Sequence, residues 1–330
     1  TLRRRGRAAV TTSIGSLGLP LVVGALVGSW LPDRFVGSGS SRLVFVSFFA
    51  VAFAISSLPV AARILGDLGL IDRPFTHLAL GVATVNDIVG WLLLGVVVGV
   101  AENGTFEFAP LATSVAVVVT AGGGVIWLGP RVLDRMAIEV ERREGGPAAE
   151  ASLIAVTVVA IGTVTHVAGV EVVIGAFIAG IAIGGSRLRA SRGFAALETV
   201  TNGIFAPLFF AIAGIRVDLS QLADRSVATW AIVVTIAATA AKLVGSYLGG
   251  LAGRLGHRDS FGLGASLNAR GALEIVVATV GLSLEVIDAT AYTVIVVMAL
   301  VTTALTGPLL KRLFPHPDLD DPSRMARSHW

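Results

Sequence analysis

The chain has 330 residues, of which 54% are hydrophobic and only 14% charged. A soluble domain usually carries about 25% charge, so this composition, with a mean hydropathy of +0.83, excludes an ordinary soluble fold and points to a polytopic membrane protein. The net charge is +3, with no cysteine and five histidines, which excludes disulfides, thiol chemistry and cysteine-ligated metal. The histidines form no His-Glu-x-x-His motif, and excess arginine in a membrane chain belongs in loops rather than on nucleic acid.

At about 20 apolar residues per crossing, the sequence reads as an all-α membrane protein of about ten spans. In chain order they cover 8–31, 42–62, 77–100, 110–130, 150–167, 170–185, 195–215, 227–252, 261–282 and 289–312. The first holds Gly15, Gly18, Gly24 and Gly28, and the sixth Gly175, Gly180 and Gly184. Small residues let helices approach closely in lipid, so these glycines read as packing. The fifth and sixth spans are short and joined through Val167-Ala168-Gly169-Val170.

With the N-terminus in the cytoplasm, the inner segments hold most of the basic residues. These are Arg3, Arg4, Arg5 and Arg7, then Arg63 and Arg73, and then Arg131, Arg135, Arg142 and Arg143. Arg187, Arg189 and Arg192 follow, then Arg254 and Arg258, and finally Lys311, Arg312, Arg324 and Arg327. The outer segments hold only Arg34, Arg42, Arg216 and Arg225. That bias places both ends of the chain inside.

Lys242 and Arg270 fall in no loop, and among the acids Asp87 and Glu274 share that position, well inside their spans. A charge near the middle of a span costs about 2.5–3.5 kcal/mol on insertion scales, so an ion or proton site is the default explanation. Arg270 and Glu274 are four apart on one helix face and can pair. Asp87, flanked by Val85, Asn86 and Ile88, has no neighbouring countercharge and is the residue around which function is expected.

A faint internal repeat joins 1–95 to 221–310. Each copy runs from a polar start through a glycine-containing span and an interrupted span to a third span. Three spans per copy, separated by an odd number of spans, reverse their orientation, and inverted repeats of this kind build secondary transporters around interrupted helices. Pro59 removes a backbone donor beside Ser56 and Ser57 in the second span, and Asn268, Arg270 and Gly271 occupy the matching place.

Ser56-Ser57-Leu58-Pro59-Val60-Ala61-Ala62-Arg63-Ile64-Leu65, followed by Ala83-Thr84-Val85-Asn86-Asp87, resembles the monovalent cation:proton antiporters (the sodium/hydrogen exchanger superfamily), in the branch of plant cation/proton exchangers and their bacterial relatives. Pro207-Leu208-Phe209-Phe210-Ala211, Ala241-Lys242-Leu243-Val244-Gly245 and Asn268-Ala269-Arg270-Gly271-Ala272-Leu273-Glu274 continue the resemblance in order. It implies a first core repeat over 1–105, a linker helix and cytoplasmic loop over 106–145, scaffold and dimer helices over 146–220, a second core repeat over 221–313 and a cytoplasmic tail over 314–330. It also implies two broken helices that cross, a homodimer in a bacterial cytoplasmic membrane, and about three helices ahead of Thr1, so that the sequence reads as N-terminally truncated.

The chemistry expected is exchange of Na⁺ or K⁺ for H⁺ by alternating access. Asp87 is the shared cation and proton site, with Asn86, Ser56 and Ser57 beside it, Lys242, Arg270 and Glu274 as supporting charges, and Pro59, Asn268 and Gly271 at the breaks. No cofactor, resident metal or enzymatic reaction is expected. Electrogenic relatives have a second aspartate where Asn86 stands, paired with the lysine that Lys242 matches, so electroneutral exchange is expected here. An uncoupled uniporter or channel and a non-transporting scaffold are the alternatives that the residues leave open.

Overall fold

A computed structural model describes residues 2–103, 116, 120, 122–168 and 172–315. Most of the fourth expected span, the junction at Gly169-Val170 and the tail from residue 316 lie outside the described residues. Among these, regular structure is helical with no named strand, and six stretches are long and apolar enough to cross a membrane, with shorter apolar helices beside them.

The chain divides into two compact units, one formed by 1–90 with 216–330 and the other by 91–215. The first contains α1 (Leu2–Trp30), α2 (Arg42–Ala54), α3 (Leu58–Asp67) and most of α4 (Pro74–Asn103). The second contains α5 (Gly123–Arg142), α6 (Gly146–Val167), α7 (Val172–Gly184), α8 (Arg192–Val200) and α9 (Ala206–Ile215). The first unit is completed by α10 (Arg225–Ala252), α11 (His257–Leu267), α12 (Ala272–Ser283) and α13 (Ala289–Leu313).

Three expected single spans are each two helices, and two of them are broken between the helices. The second breaks after Ala54 and resumes at Leu58, with Ser57 as N-cap and Pro59 in the first turn of α3, where a missing N–H costs no helical bond. The ninth breaks between Leu267 and Ala272, with Asn268 as C-cap of α11. The seventh is α8 and α9 joined by a π-helical turn over Thr201–Phe205. The stretch 131–142, expected as cytoplasmic loop, is instead helical. Its Leu133 and Ala137, one turn apart, are buried, and an apolar stripe of that spacing suffices to hold a polar helix against a core.

In the second unit, Leu133 and Ala137 of α5 join Ile154 of α6, Ala182 and Ile183 of α7 and Leu188 in one buried cluster. Gly162 and Gly175 bring α6 and α7 together: a Cβ on Gly175 would lie 2.8 Å from the Gly162 Cα.

In the first unit, helix order is long, broken, long in both α1–α4 and α10–α13. Ala8, Thr12 and Gly15 of α1 meet Gly253, the C-cap of α10, and Gly249 and Gly245 within it, in descending order, so the two helices run antiparallel and the repeats are inverted. At the centre the Gly15 and Gly245 backbones touch, and a Cβ on either would collide with the other's carbonyl oxygen. One end of the unit is closed by Phe314, stacked on Phe75 at 4.5 Å and covered by the guanidiniums of Arg73 and Arg258. At the other end Arg34 pairs with Asp224 at 3.1 Å, and Gly37 N–H donates to the Val286 carbonyl. Asp224 also caps α10, and the Ser226 and Val227 amides hold its carboxyl below the usual carboxylate range. That cap persists until pH falls through the lowered value.

Gly15→Leu or Gly245→Leu is expected to destabilise the solubilised protein by at least about 1–3 kcal/mol, since overpacking here strikes backbone rather than a movable side chain. Gly18→Ala, with no atom within 4 Å of its Cβ position, is the control, and thermal melts in detergent should leave it unchanged.

Candidate functional site

The two helix breaks meet inside the first unit. The Ser57 amide donates to the Ala269 carbonyl at 2.9 Å, so the interrupted segments are hydrogen-bonded to each other. Gly271 makes this approach possible: a Cβ there would lie 2.6 Å from Val60 Cγ2 and 3.0 Å from Ser57 Oγ. Thr303 secures the second break, accepting from the Arg270 amide at 2.9 Å and donating to its carbonyl at 2.6 Å. The Asn268 side-chain amide donates to the Thr302 carbonyl at 3.1 Å.

Breaking α2 leaves carbonyls without helical donors, and cationic side chains take them. Arg270 donates to the Ala52 carbonyl at 2.7 Å and to the Phe53 carbonyl at 2.8 Å. Lys242 donates to the Ala54 carbonyl and, at 3.0 Å, to the Ser16 carbonyl of α1. Both side chains are buried, and a cation is favoured at a helix C-terminus by the dipole. Opposite them, carboxylates occupy the helix starts. Asp87 of α4 lies beside the Leu58 amide at the start of α3, and Glu274 lies in the first turn of α12.

Among the expected supporting charges, Arg270 and Glu274 form an ion pair at 2.6 Å, with side-chain exposures of 0% and 1%. Arg270 is therefore more than half of an ion pair, since the same guanidinium caps α2. Lys242 makes no ion pair among the described residues. It lies close enough to Arg270, Glu274 and Asp87 to feel all three charges, but its hydrogen bonds go to backbone.

Asn86 is fully buried and does not bond to Lys242. Its side-chain amide donates to Ser16 Oγ at 2.9 Å, while the Ser16 carbonyl holds Lys242. Ser16 thus links the two residues, and sequence reading missed it. The signal available in the sequence is Thr12 and Ser16, hydroxyls one turn apart on one face of a glycine-rich span.

Several oxygens at the crossing have no hydrogen-bond partner among the described residues: Asp87 Oδ1, Ser56 Oγ, Asn268 Oδ1 and Glu274 Oε2. Asp87 retains 7% of its surface, whereas the other three residues are almost completely enclosed. The arrangement offers hard oxygen donors, two of them carboxylate oxygens of which only that of Asp87 belongs to a partly exposed residue, inside a frame of buried cations. No group of three or more histidine, cysteine or acidic residues suited to a resident metal occurs among the described residues.

An inverted pair of three-helix repeats with crossed breaks, and a buried carboxylate outside any ion pair among the described residues, is the architecture on which membrane proteins of the secondary-transporter class are built. The family model for the transmembrane sodium/hydrogen exchanger matches residues 1–315, and the chain belongs to that family. It is 28% identical to Cation/H(+) antiporter 19 of Arabidopsis thaliana over 95% of this chain and 39% of that protein. It is also 28% identical to Na(+)/H(+) antiporter NhaS4 of Synechocystis sp., over 96% of this chain and 77% of that one. K(+)/H(+) antiporter 1 of Saccharomyces cerevisiae is 28% identical over 95% of this chain and 37% of its own. The chain thus spans about two-fifths of the length of the plant and yeast relatives.

Neutralising either Arg270 or Glu274 should lower thermal stability, because breaking a buried pair costs about 3–5 kcal/mol. Arg270→Gln should cost more than Glu274→Gln, since it also uncaps the Ala52 and Phe53 carbonyls. The double variant should recover part of the Glu274→Gln loss. Strictly additive melts would show that the pair is not coupled.

Proposed function

We propose that the chain exchanges a monovalent cation, Na⁺ or K⁺, for protons, with Asp87 binding one or the other in turn. The observation that carries this reading is the Asp87 carboxylate itself: one oxygen without a partner, a half-helix start facing it, and the neighbouring cations committed to backbone carbonyls. The names of the relatives, which include both Na(+)/H(+) and K(+)/H(+) antiporters, support it. Cation ligands would come from Asp87 Oδ1 and Ser56 Oγ, with carbonyls of the α2–α3 break other than those of Ala52, Phe53 and Ala54, which Arg270 and Lys242 occupy. A proton and a cation cannot both occupy one carboxylate, so mutually exclusive binding, with the site opening to alternate sides, is sufficient for antiport.

The placement of Asn86 favours electroneutral exchange. It carries no proton, and its bond to Ser16 leaves Lys242 holding the Ser16 and Ala54 carbonyls instead of a carboxylate. Lys242 and Arg270 then act as fixed caps while Asp87 alone changes occupant. We assign the end of the first unit that holds Arg73, Arg258 and Phe314 to the cytoplasm, following the arginine bias.

Asp87→Asn should abolish cation-dependent proton flux in liposomes while the protein still inserts and melts cooperatively; normal exchange by that variant would remove Asp87 from the mechanism. Asn86→Asp places a carboxylate beside Ser16, close to Lys242, and should alter the pH profile of exchange and make it respond to an imposed potential. If exchange is strongly voltage-driven before the substitution, and neither property changes after it, the single-carboxylate reading is wrong.

A further inference from the structure

Three hydroxyls on three helices lie beyond Lys242, outside the crossing. Thr12 on α1, Ser246 on α10 and Ser260 on α11 are each 0% exposed, and their oxygens have no hydrogen-bond partner among the described residues. This is not the habit of these helices. Thr235 and Thr239 of α10 and Ser266 of α11 each donate to the carbonyl four residues back, the usual recourse of a helical hydroxyl.

The three positions converge. Ser246 lies one turn along α10 from Lys242. The next turn of α10 carries Gly249, whose Cβ position is 2.7 Å from the Thr12 Cα, and Gly250, whose Cβ position is 2.7 Å from Ser260 Oγ. Thr12 is also one turn from Ser16, whose carbonyl holds Lys242. The hydroxyls therefore form a line from Lys242 toward the end where α1 begins and α11 starts. Buried polar atoms left without protein partners are the positions at which ordered water binds.

We propose that Thr12, Ser246 and Ser260 hold water in a proton-only branch between Lys242 and that end of the first unit. Among the described residues the three hydroxyls are the buried groups of the line, Asp259 beside Ser260 being exposed, and α1 and α10 are in backbone contact beside it, so it suits a proton and not a cation needing several oxygen ligands. The ammonium passes a proton to the bound water, which passes another outward along the hydroxyls, and the amine takes up the proton that Asp87 releases, so Lys242 ends each transfer charged and still on its carbonyls. The branch rests on the exchange reading for its purpose; the water site does not.

Thermal melts of the detergent-solubilised chain test the water site by sign. If the three hydroxyls share water, Thr12→Val, Ser246→Ala and Ser260→Ala each lower the melting temperature, and the triple variant loses less than the three losses added, because the shared water is lost once. If the hydroxyls are dry and unsatisfied, removing them raises the melting temperature or leaves it unchanged, and the proposal fails. For the proton branch, Ser246→Ala should slow exchange in liposomes several-fold at saturating cation with the apparent KM for cation unchanged. An unchanged rate, or a loss confined to KM, overturns it. The melts decide the water site even if no exchange is detected, so the two readings fail separately.

Discussion

Four helix ends inside a lipid-embedded protein have to be satisfied at the place where α2, α3, α11 and α12 meet. In a bilayer, open backbone groups find no solvent, so an interrupted helix survives only where protein groups or a lined cavity replace the missing bonds. The structure meets this with side chains of matching sign. Arg270 and Lys242 take the bare carbonyls at the end of α2, Asp87 faces the first amide of α3, and Ser57 bonds across to Ala269. Each charge complements the dipole of the end it meets.

That constraint divides the charged residues by role. A cation that leaves the end of α2 uncaps it, so Arg270 and Lys242 are costly to move. Glu274 is held by Arg270 at 2.6 Å. Among the charged residues of the crossing, Asp87 alone combines an oxygen without a partner with residual exposure, the properties that a group changing its occupant requires. Backbone contact at Gly15 and Gly245 allows the rest, because Lys242 of α10 reaches the Ser16 and Ala54 carbonyls only if α1 and α10 lie against each other.

Much of this was legible in the sequence. Charges in apolar spans are rare enough that Asp87, Lys242, Arg270 and Glu274 stood out, and the spacing of four residues foretold the Arg270–Glu274 pair. Pro59 and the polar run at Asn268–Gly271 marked the breaks because helix chemistry fails there locally. What was not legible depends on contacts between distant segments. Lys242 reads in the sequence only as a supporting charge and is found on backbone carbonyls, since backbone acceptors carry no signature in the sequence. Ser16 was missed for a related reason: a serine in a glycine-rich span looks like packing until its partners, Asn86 and Lys242, are seen. The helix over 131–142 was read as loop because its charges outweighed the two apolar positions that anchor it.

The central claim is that one carboxylate binds a cation only by giving up its proton. Calorimetric titration of the purified chain with Na⁺ and with K⁺, in buffers of different ionisation enthalpy, measures protons released on binding directly. The account predicts a binding heat that varies with the buffer, with a slope of about one proton per cation bound, as deprotonation of a single group requires. Cation binding whose heat is independent of the buffer would contradict it.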